Sequence, residues 1–292
     1  MRFYDTHAHY RRGFVSKRHR DFHERVTEIL KEAYQAGVTK IMNVGLDPLL
    51  SEYIVHDFAN YPWNEAANEM PEMYFAVGEH PKSVKNEIFS RQDKEDEKNM
   101  MDLCKNKKVR AIKTGLDYSV EMHRWERQEK RFRDWIRVSK KMHLPLILHI
   151  RDAFPDALAI LDEEAEGETY KGVVHCFTGD SETAKQFIER GFLIGIGGKV
   201  TDEDNYELRE TVKTIPLKSI VLETDCPYVR VKNGPKVSTS ADLTVIAKTV
   251  VDLRNQGGGG VSLEEAGEIF YENSESLFGK KGGKENGWNF VL

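Results

Sequence analysis

The sequence predicts an α/β protein built as a (β/α)8 barrel, or TIM barrel. Eight short runs of apolar, β-branched and aromatic residues alternate with helical segments along the 292 residues. Most of these runs are apolar throughout, which is typical of parallel strands buried on both faces. Eight strand–helix units favour a closed barrel over an open sheet. Because neither a linker nor a repeat divides the chain, we predict a single domain over 1–292.

The first half of the chain contains four of the predicted strands. Phe3, Tyr4 and Thr6 favour extended structure near the N-terminus, whereas Val26 and Leu30 lie on one apolar stripe of a helix. The strands are predicted within 1–10 and at 40–45, 73–78 and 109–115. The helices that follow them are predicted at 21–36, 47–60, 92–104 and 125–142.

The second half of the chain continues the same alternation. Continuous apolar runs predict strands at 144–149, 172–177, 192–196 and 219–225. Helices are predicted at 153–164, 181–190, 203–212, 240–254 and 262–277. A glycine run over 257–260 separates the last two helices. The final stretch, 279–292, is predicted to be a loosely ordered tail.

Composition limits the classes of protein that the chain can be. A formal net charge of -5 argues against a protein that coats nucleic acid by bulk electrostatics. No apolar run approaches the roughly 20 residues of a membrane span, and the N-terminus lacks the layout of a signal peptide. Cys104, Cys176 and Cys226 form neither a zinc motif nor an even disulfide framework. We therefore expect a cytoplasmic protein without a membrane partner.

Histidines and one aspartate stand out as candidate metal ligands. His7 and His9 are two residues apart in a predicted strand, so their side chains point the same way. His149, His175 and Asp225 fall at or near the ends of the fifth, sixth and eighth predicted strands. The carboxyl ends of barrel strands share one face, so we expect the five to converge. Such ligands suit zinc, manganese or nickel better than calcium or magnesium alone.

Short motifs spread over almost the whole chain carry a family resemblance. They are Asp5-Thr6-His7-Ala8-His9, Ala76-Val77-Gly78 with His80-Pro81, Gly115-Leu116-Asp117-Tyr118, Leu144-Pro145 with His149 and Arg151-Asp152-Ala153, His175-Cys176-Phe177-Thr178-Gly179, Glu223-Thr224-Asp225 with Pro227-Tyr228, and Asn273 with Leu277-Phe278. With these motifs the chain resembles the TatD family of metal-dependent deoxyribonucleases, in the amidohydrolase superfamily. The resemblance implies hydrolysis of DNA phosphodiester bonds with one or two divalent metal ions, zinc, manganese, nickel or magnesium.

The resemblance also implies how the metal ligands are shared. His7, His9 and Asp225 would hold one metal, and His149 and His175 would hold the second.

Further residues receive roles in catalysis and substrate binding. By the resemblance, His80 lies near the substrate, Arg151 meets a phosphate, and Glu223 orients the reacting water or the substrate. Asp225 is placed to take a proton from that water, and His80 and Arg151 to donate to phosphate oxygens. Tyr228 is expected either to stack on a base near the opening or to be a packed aromatic.

Lys113 departs from the family pattern. The family has a metal-bridging glutamate two residues before the glycine that is Gly115 here, and this sequence has Lys113 in its place. A free ammonium repels two dications and suppresses the second metal site. A lysine carboxylated by carbon dioxide would instead supply a bridging anion, as in some members of the superfamily. The sequence leaves both forms open, the carboxylated Lys113 with two metals and the free lysine with at most one.

Basic residues concentrate in the segments that follow predicted strands and favour an anionic substrate. They are Arg11, Arg12, Lys17, Arg18, Arg20, Lys82, Lys85, Arg151, Lys199, Arg230, Lys232 and Lys236. We expect DNA ends or short single-stranded DNA as the substrate, and no obligate protein partner.

Two alternatives remain at the level of sequence. An amidohydrolase or lactonase would use the same metals at a carbonyl carbon. A non-catalytic barrel, its metal centre disabled by Lys113, would only bind a nucleic acid or a partner. Metal content and activity on a generic phosphodiester distinguish the three functions.

Overall fold

A computed structural model describes residues 1–12, 22–62, 69–85, 91–258 and 260–279. The strands, numbered along the chain, are β1 Phe3–Ala8, β2 Val38–Val44, β3 Glu72–Gly78, β4 Val109–Asp117, β5 Leu146–Arg151, β6 Gly172–His175, β7 Phe192–Ile196 and β8 Ile220–Leu222. The helices are α1 Phe22–Gln35, α2 Pro48–Asp57, α3 Arg91–Leu103, α4 Trp125–Met142, α5 Phe154–Ala165, α6 Ser181–Glu189, α7 Tyr206–Thr214, α8 Leu243–Gln256 and α9 Leu263–Phe278.

All eight strands form one parallel sheet in the order β1 to β8. Past the end of β8, the amide of Asp225 donates to the carbonyl of His7 at 2.8 Å. The amide of His9 donates in turn to the carbonyl of Cys226 at 2.9 Å. These bonds bring the first and last strands together, so the sheet is the nearly closed (β/α)8 barrel that the sequence predicts.

A few boundaries differ from the predictions. The strand predicted at 219–225 ends at Leu222, because the chain turns there and Asp225 adopts a left-handed φ of 51°. The helix predicted at 203–212 begins only at Tyr206. The predicted tail lies, from residue 280 onward, outside the described residues, and the assignment of 1–292 to one domain stays a prediction.

Apolar side chains fill the barrel interior below the level of the candidate ligands. This buried cluster comprises Tyr4, Met42, Val44, Tyr74, Ala76, Ala111, Ile147, Val173, Val221, Tyr271, Leu277 and Phe278. Phe278 of α9 packs against Tyr4 with 6.1 Å between the ring centroids. Helix α9 thus covers the end of the barrel where the strands begin. In the described part of the chain, no helix is both long and apolar enough to cross a membrane.

Candidate metal centre

Alternation along the strands places polar side chains directly above the apolar interior. Side chains two residues apart on a strand share a face. Four polar residues each lie two positions after a member of this interior cluster: Lys113 after Ala111, His149 after Ile147, His175 after Val173 and Glu223 after Val221. Four strands therefore turn the same face toward the candidate centre, at the carboxyl ends where barrel enzymes carry their sites.

Strand β1 reaches the centre through an irregularity. Tyr4 belongs to the interior cluster, so strict alternation would direct the even-numbered residues of β1 inward. The pairing of β1 with β2 shifts register between Asp5 and Ala8, and His7 and His9 point into the centre instead. Bulges are frequent beside active sites because they redirect side chains in this way.

Three imidazoles converge on one carboxylate. Oδ1 of Asp225 lies 3.1 Å from Nε2 of His9, 3.9 Å from Nε2 of His7 and 3.8 Å from Nε2 of His175. The Nε2 atoms of His7 and His9 are 3.2 Å apart. The structure thus brings together four of the five histidine and aspartate ligands that the sequence predicts.

Unpartnered buried atoms at this point fit a divalent cation. Among the described residues, Nδ1 of His7, Nδ1 of His175 and Oε2 of Glu223 are buried without a hydrogen-bond partner. Nζ of Lys113 is also buried without a partner, but as an ammonium it would repel a cation. Burial lowers the pKa of His7 and of His175 well below the usual range, so both imidazoles are neutral and able to bind a metal. His7 combines with His9 and Asp225, or with His175 and Glu223, in groups whose ligand atoms lie within 4.8 Å.

Glu223 occupies the floor of the centre rather than its rim. Its Oε1 accepts a hydrogen bond from the amide of Cys176 at 2.5 Å and lies 2.8 Å from Nδ1 of His175, without hydrogen-bond alignment. A side chain at Gly195 would place its Cβ 2.7 Å from Oε2 of Glu223. Burial, and then the charge of Asp225, raise the pKa of Glu223.

Lys113 is fully buried in β4 beside the candidate ligands. Burial lowers the pKa of its ammonium, while the carboxylates of Asp225 and Glu223 act in the opposite direction. The backbone packs tightly around it, since a Cβ at Gly78 would lie 2.2 Å from the carbonyl oxygen of Lys113. Gly78 also has a φ of 142°, which disfavours a side chain there. The backbone of Lys113 therefore has little room to move away from the candidate ligands.

His149 stands apart from the other predicted ligands. Its Nε2 lies 3.0 Å from Oδ2 of Asp117, and it belongs to neither ligand group among the described residues. The same carboxylate oxygen lies 3.3 Å from Nζ of Lys82. The ring centroids of His149 and His175 are 6.1 Å apart. His149, which was expected to bind a second metal, thus contacts Asp117 instead.

The predicted substrate-side residues surround the opening. His80 contacts His149 with ring centroids 4.1 Å apart, and its Nδ1 accepts from the amide of Lys82 at 3.1 Å. The side chain of Arg151 is exposed, with its Nε 3.7 Å from Asp152. Of the predicted basic residues, Lys17, Arg18 and Arg20 lie outside the described residues.

Tyr228 also lies at the opening and is exposed. Its ring packs edge-on to His9 at a centroid distance of 5.2 Å. Its hydroxyl accepts a hydrogen bond from the guanidinium of Arg11 at 3.0 Å. Tyr228 thus links the metal centre to the protein surface.

Buried carboxylates that sequence reasoning missed support the centre. Asp5 accepts from the amide of Thr224 at 2.9 Å and from the hydroxyls of Thr224 and Ser240 at 2.6 Å, which fixes β1 against the chain that carries Asp225. Burial raises the pKa of Asp5 to about 7, although these hydrogen bonds lower it. Asp117 is the second such carboxylate. Asp5 and Asp117 both lie in motifs that carry the family resemblance, and that position could have indicated a role at the centre.

A third missed carboxylate, Glu79, precedes His80. Its Oε2 accepts from Nε of Arg131 at 2.8 Å and from the indole of Trp135 at 3.1 Å. Both donors are buried in α4. Helix α4 therefore anchors the segment that carries His80.

Comparisons with known proteins agree with this geometry. The family described as TatD related DNase matches residues 4–279. The chain is 30% identical over 278 residues to the uncharacterized metal-dependent hydrolase YabD of Bacillus subtilis, covering 94% of this chain and 98% of YabD. It is 29% identical over 204 residues to the 3'-5' ssDNA/RNA exonuclease TatD of Escherichia fergusonii, covering 69% and 73%.

A solved structure extends the likeness to the whole fold. The crystal structure of YjjV, a TatD homologue from Escherichia coli, superposes with a TM-score of 0.77 at 26% identity, covering 95% of this chain and 98% of YjjV. The barrel, the histidine and aspartate cluster and the family match agree with one another. The chain therefore belongs to the family of TatD-related DNases and is a metal-dependent hydrolase.

Proposed function

We propose that the protein hydrolyses phosphodiester bonds in DNA, acting on strand ends or short single strands. The observation that carries the proposal is the convergence of His7, His9 and His175 on Asp225 within 3.1–3.9 Å beneath an opening lined by cationic side chains. Relatives named as exonucleases of single-stranded DNA and RNA support the same substrate class.

In this proposal His7, His9, His175 and Asp225 hold a divalent ion, and His149 joins them when a second is bound. When bound, such an ion lowers the pKa of its coordinated water to about 7, far below that of bulk water, and offsets charge on phosphate oxygens. Burial opposes ionisation of Asp225, but the facing imidazoles of His175 and His9 hold its pKa below the ordinary value.

The other residues position the reactants. Asp225 is ionised at neutral pH and accepts the proton of the attacking water. Glu223, held by the amide of Cys176, orients that water. His80 and Arg151 donate to the phosphate, and Tyr228 stacks on the neighbouring base.

We further propose that Lys113 is carboxylated in the active form. Its neutral amine adds to the carbon of carbon dioxide, forming an N–C bond, and releases a proton to solvent. The product is an anionic carbamate facing the ligand cluster. Support comes from the burial of Nζ without a partner among the described residues and from the lowered pKa of the amine. The carbamate would bridge two ions in place of the family's glutamate.

The proposed function is tested with a panel of substrates. Protein loaded with manganese or zinc is expected to hydrolyse bis(p-nitrophenyl) phosphate and single-stranded oligonucleotides, more weakly at high salt because phosphates are contacted. Turnover of a lactone or an amide with none of DNA would assign the chain to the carbonyl hydrolases. Protein that retains oligonucleotides but holds no metal and hydrolyses nothing would be a non-catalytic barrel.

The cellular location also belongs to the proposal. In the described part of the chain, which includes Cys104, Cys176 and Cys226, no cysteine forms a disulfide, and this fits a reducing compartment. We propose that the enzyme acts in the cytoplasm, on nucleic acid, without an obligate protein partner.

A further inference from the structure

The loops after β7 and β8 pack into one continuous surface beside the metal centre. We call residues 197–206 and 226–239 the β7–β8 rim. A Cβ at Gly198 would lie 2.9 Å from the carbonyl oxygen of Arg230, so the two loops touch there. The amide of Lys232 donates to Oγ1 of Thr201 at 2.7 Å. Lys199, next to Gly198, is therefore held close to Arg230.

The rim has a small positive net charge, although the chain as a whole is acidic. Its four cations, Lys199, Arg230, Lys232 and Lys236, outnumber the three acidic residues of its first loop, Asp202, Glu203 and Asp204. Its second loop, 226–239, contains Arg230, Lys232 and Lys236 and no acidic residue. Lys232 lies 3.4 Å from the carboxylate of Asp202. Lys199, Arg230 and Lys236 are exposed and form no ion pair with any carboxylate among the described residues. Uncompensated cations at the edge of a site attract anions to that edge.

The rim contains two exposed tyrosines. Tyr228 is 51% exposed, yet its orientation is fixed by the contacts with His9 and Arg11 and by a 2.8 Å bond from its amide to the carbonyl of Asp225. Tyr206, the first residue of α7, is 72% exposed. Exposed aromatic rings beside a cationic track are the features with which proteins bind single strands independently of sequence.

We propose that the β7–β8 rim binds the single-stranded segment of nucleic acid that extends from the phosphate being cleaved. The backbone phosphates lie on Lys199, Arg230 and Lys236, and unpaired bases stack on Tyr228 and then Tyr206. The inference rests on the proposed function and deepens it, because it states where a substrate longer than two nucleotides is held. Continuity with the metal centre through Tyr228 favours nucleic acid over an acidic protein.

The test separates binding from cleavage. Binding of a fluorescent phosphorothioate oligothymidylate to the metal-loaded protein is measured by anisotropy at several salt concentrations. The variant Lys199→Gln/Arg230→Gln/Lys236→Gln is expected to lower the slope of log K against log salt by about 2, because each phosphate contact to a single strand contributes about 0.7. Its KM for a 12-nucleotide substrate is expected to rise at least tenfold.

Hydrolysis of bis(p-nitrophenyl) phosphate by the rim variant should be unchanged, since that substrate does not reach the rim. The matched control is Lys107→Gln/Lys108→Gln/Lys218→Gln, which removes three cations that precede β4 and β8, at the opposite end of the barrel. This control should keep the parent's salt slope and KM. Tyr206→Ala should weaken binding of the long oligonucleotide but not of a dinucleotide, and Tyr206→Phe should restore it.

An unchanged salt slope and KM in the rim variant would overturn the inference and leave the proposed function intact. Polyglutamate that binds the rim as tightly as the oligonucleotide, and loses affinity in the same variant, would overturn it in favour of an acidic protein partner. If the parent hydrolyses no phosphodiester, the proposed function fails, while the anisotropy measurement still decides whether the rim binds single strands.

Discussion

Asp225 combines a carboxylate that we propose to bind metal with an unfavourable backbone conformation. Its φ of 51° lies in the left-handed region, which costs a residue other than glycine about 1–3 kcal/mol unless the surroundings impose it. Here the hydrogen bond from the amide of Asp225 to the carbonyl of His7 and the packed imidazoles impose this conformation. Asparagine and aspartate tolerate this conformation better than alanine.

The first prediction follows from that difference. Asp225→Asn should keep the fold but lose bound metal and reduce hydrolysis at least a hundredfold, because the amide carries no charge. Asp225→Ala should lose metal equally and unfold more easily, by about 1 kcal/mol, because of its backbone. Metal analysis and urea unfolding of metal-free protein measure the two effects. Full metal content in Asp225→Asn would remove Asp225 from the ligand set.

Lys113 gives the second prediction. If its carbamate bridges two ions, Lys113→Ala should lose activity and the second ion, and a short-chain carboxylate should partly restore both. Lys113→Glu should keep some activity, because it supplies the carboxylate typical of the family. Mass spectrometry under carbon dioxide and metal counting provide the readouts. A bare ammonium, one metal and full activity in Lys113→Ala would establish a one-metal mechanism instead.

At the scale of elements, a buried charged cluster joins α4 to Glu79, the residue that follows β3. Arg131 and Trp135 donate to Glu79, and Arg131 also donates to Glu97 at 2.8 Å. The amide of Glu79 donates to the carbonyl of Lys113 at 2.9 Å. One helix thus sets the position of both His80 and the strand that carries Lys113.

The third prediction concerns this cluster. Arg131→Ala should destabilise the fold by about 3–5 kcal/mol, because it leaves the buried carboxylate of Glu79 without its counter-charge. Glu79→Gln/Arg131→Met should cost clearly less. The exposed pair of Arg25 and Glu28 is the control, since Arg25→Ala should change stability by less than about 1 kcal/mol. Equal losses in urea unfolding for the single and double variants would contradict this account.

The sequence predicted elements and ligands where the relevant information is local. Apolar runs predicted the strands. The positions of His149 and His175 at or near the ends of two of them predicted that both side chains lie at the same face of the barrel. Local patterns carried no signal for the irregular register in β1. They also did not show that Asp117 approaches His149, because that contact joins the ends of two strands and depends on how the barrel closes.

At the scale of the whole molecule, the centre makes stability depend on pH. Burial lowers the pKa of His7, His80, His149 and His175. Below the ordinary histidine pKa of about 6.5 the unfolded chain takes up protons that the folded protein excludes, so stability is lost as pH falls. The pKa values of Asp5 and Glu223 are raised. Protonation of these two carboxyls therefore stabilises the folded protein as pH falls and opposes the effect of the histidines.

The fourth prediction is the balance of these effects. Four histidines outnumber two carboxyls, so metal-free protein should lose about 2 kcal/mol of unfolding free energy between pH 6.5 and pH 5. Urea unfolding at the two pH values measures this. The double variant Asp5→Asn/Glu223→Gln should show a steeper loss over the same range. A metal-free protein that is equally stable at both pH values would contradict the lowered histidine pKa values.

The apolar floor beneath the centre has a consequence for the shape of the substrate. Phe278 and Tyr4 close the end of the barrel where the strands begin, and His7 and Lys113 are buried. Asp225, whose side chain is 13% exposed, therefore faces solvent from one end of the barrel. The free end of a nucleic-acid strand can enter such a one-sided site as a single strand, whereas a circular strand would have to enter it doubled back on itself. Covalently circular single strands should therefore resist hydrolysis, and one nick should make the same molecule a substrate.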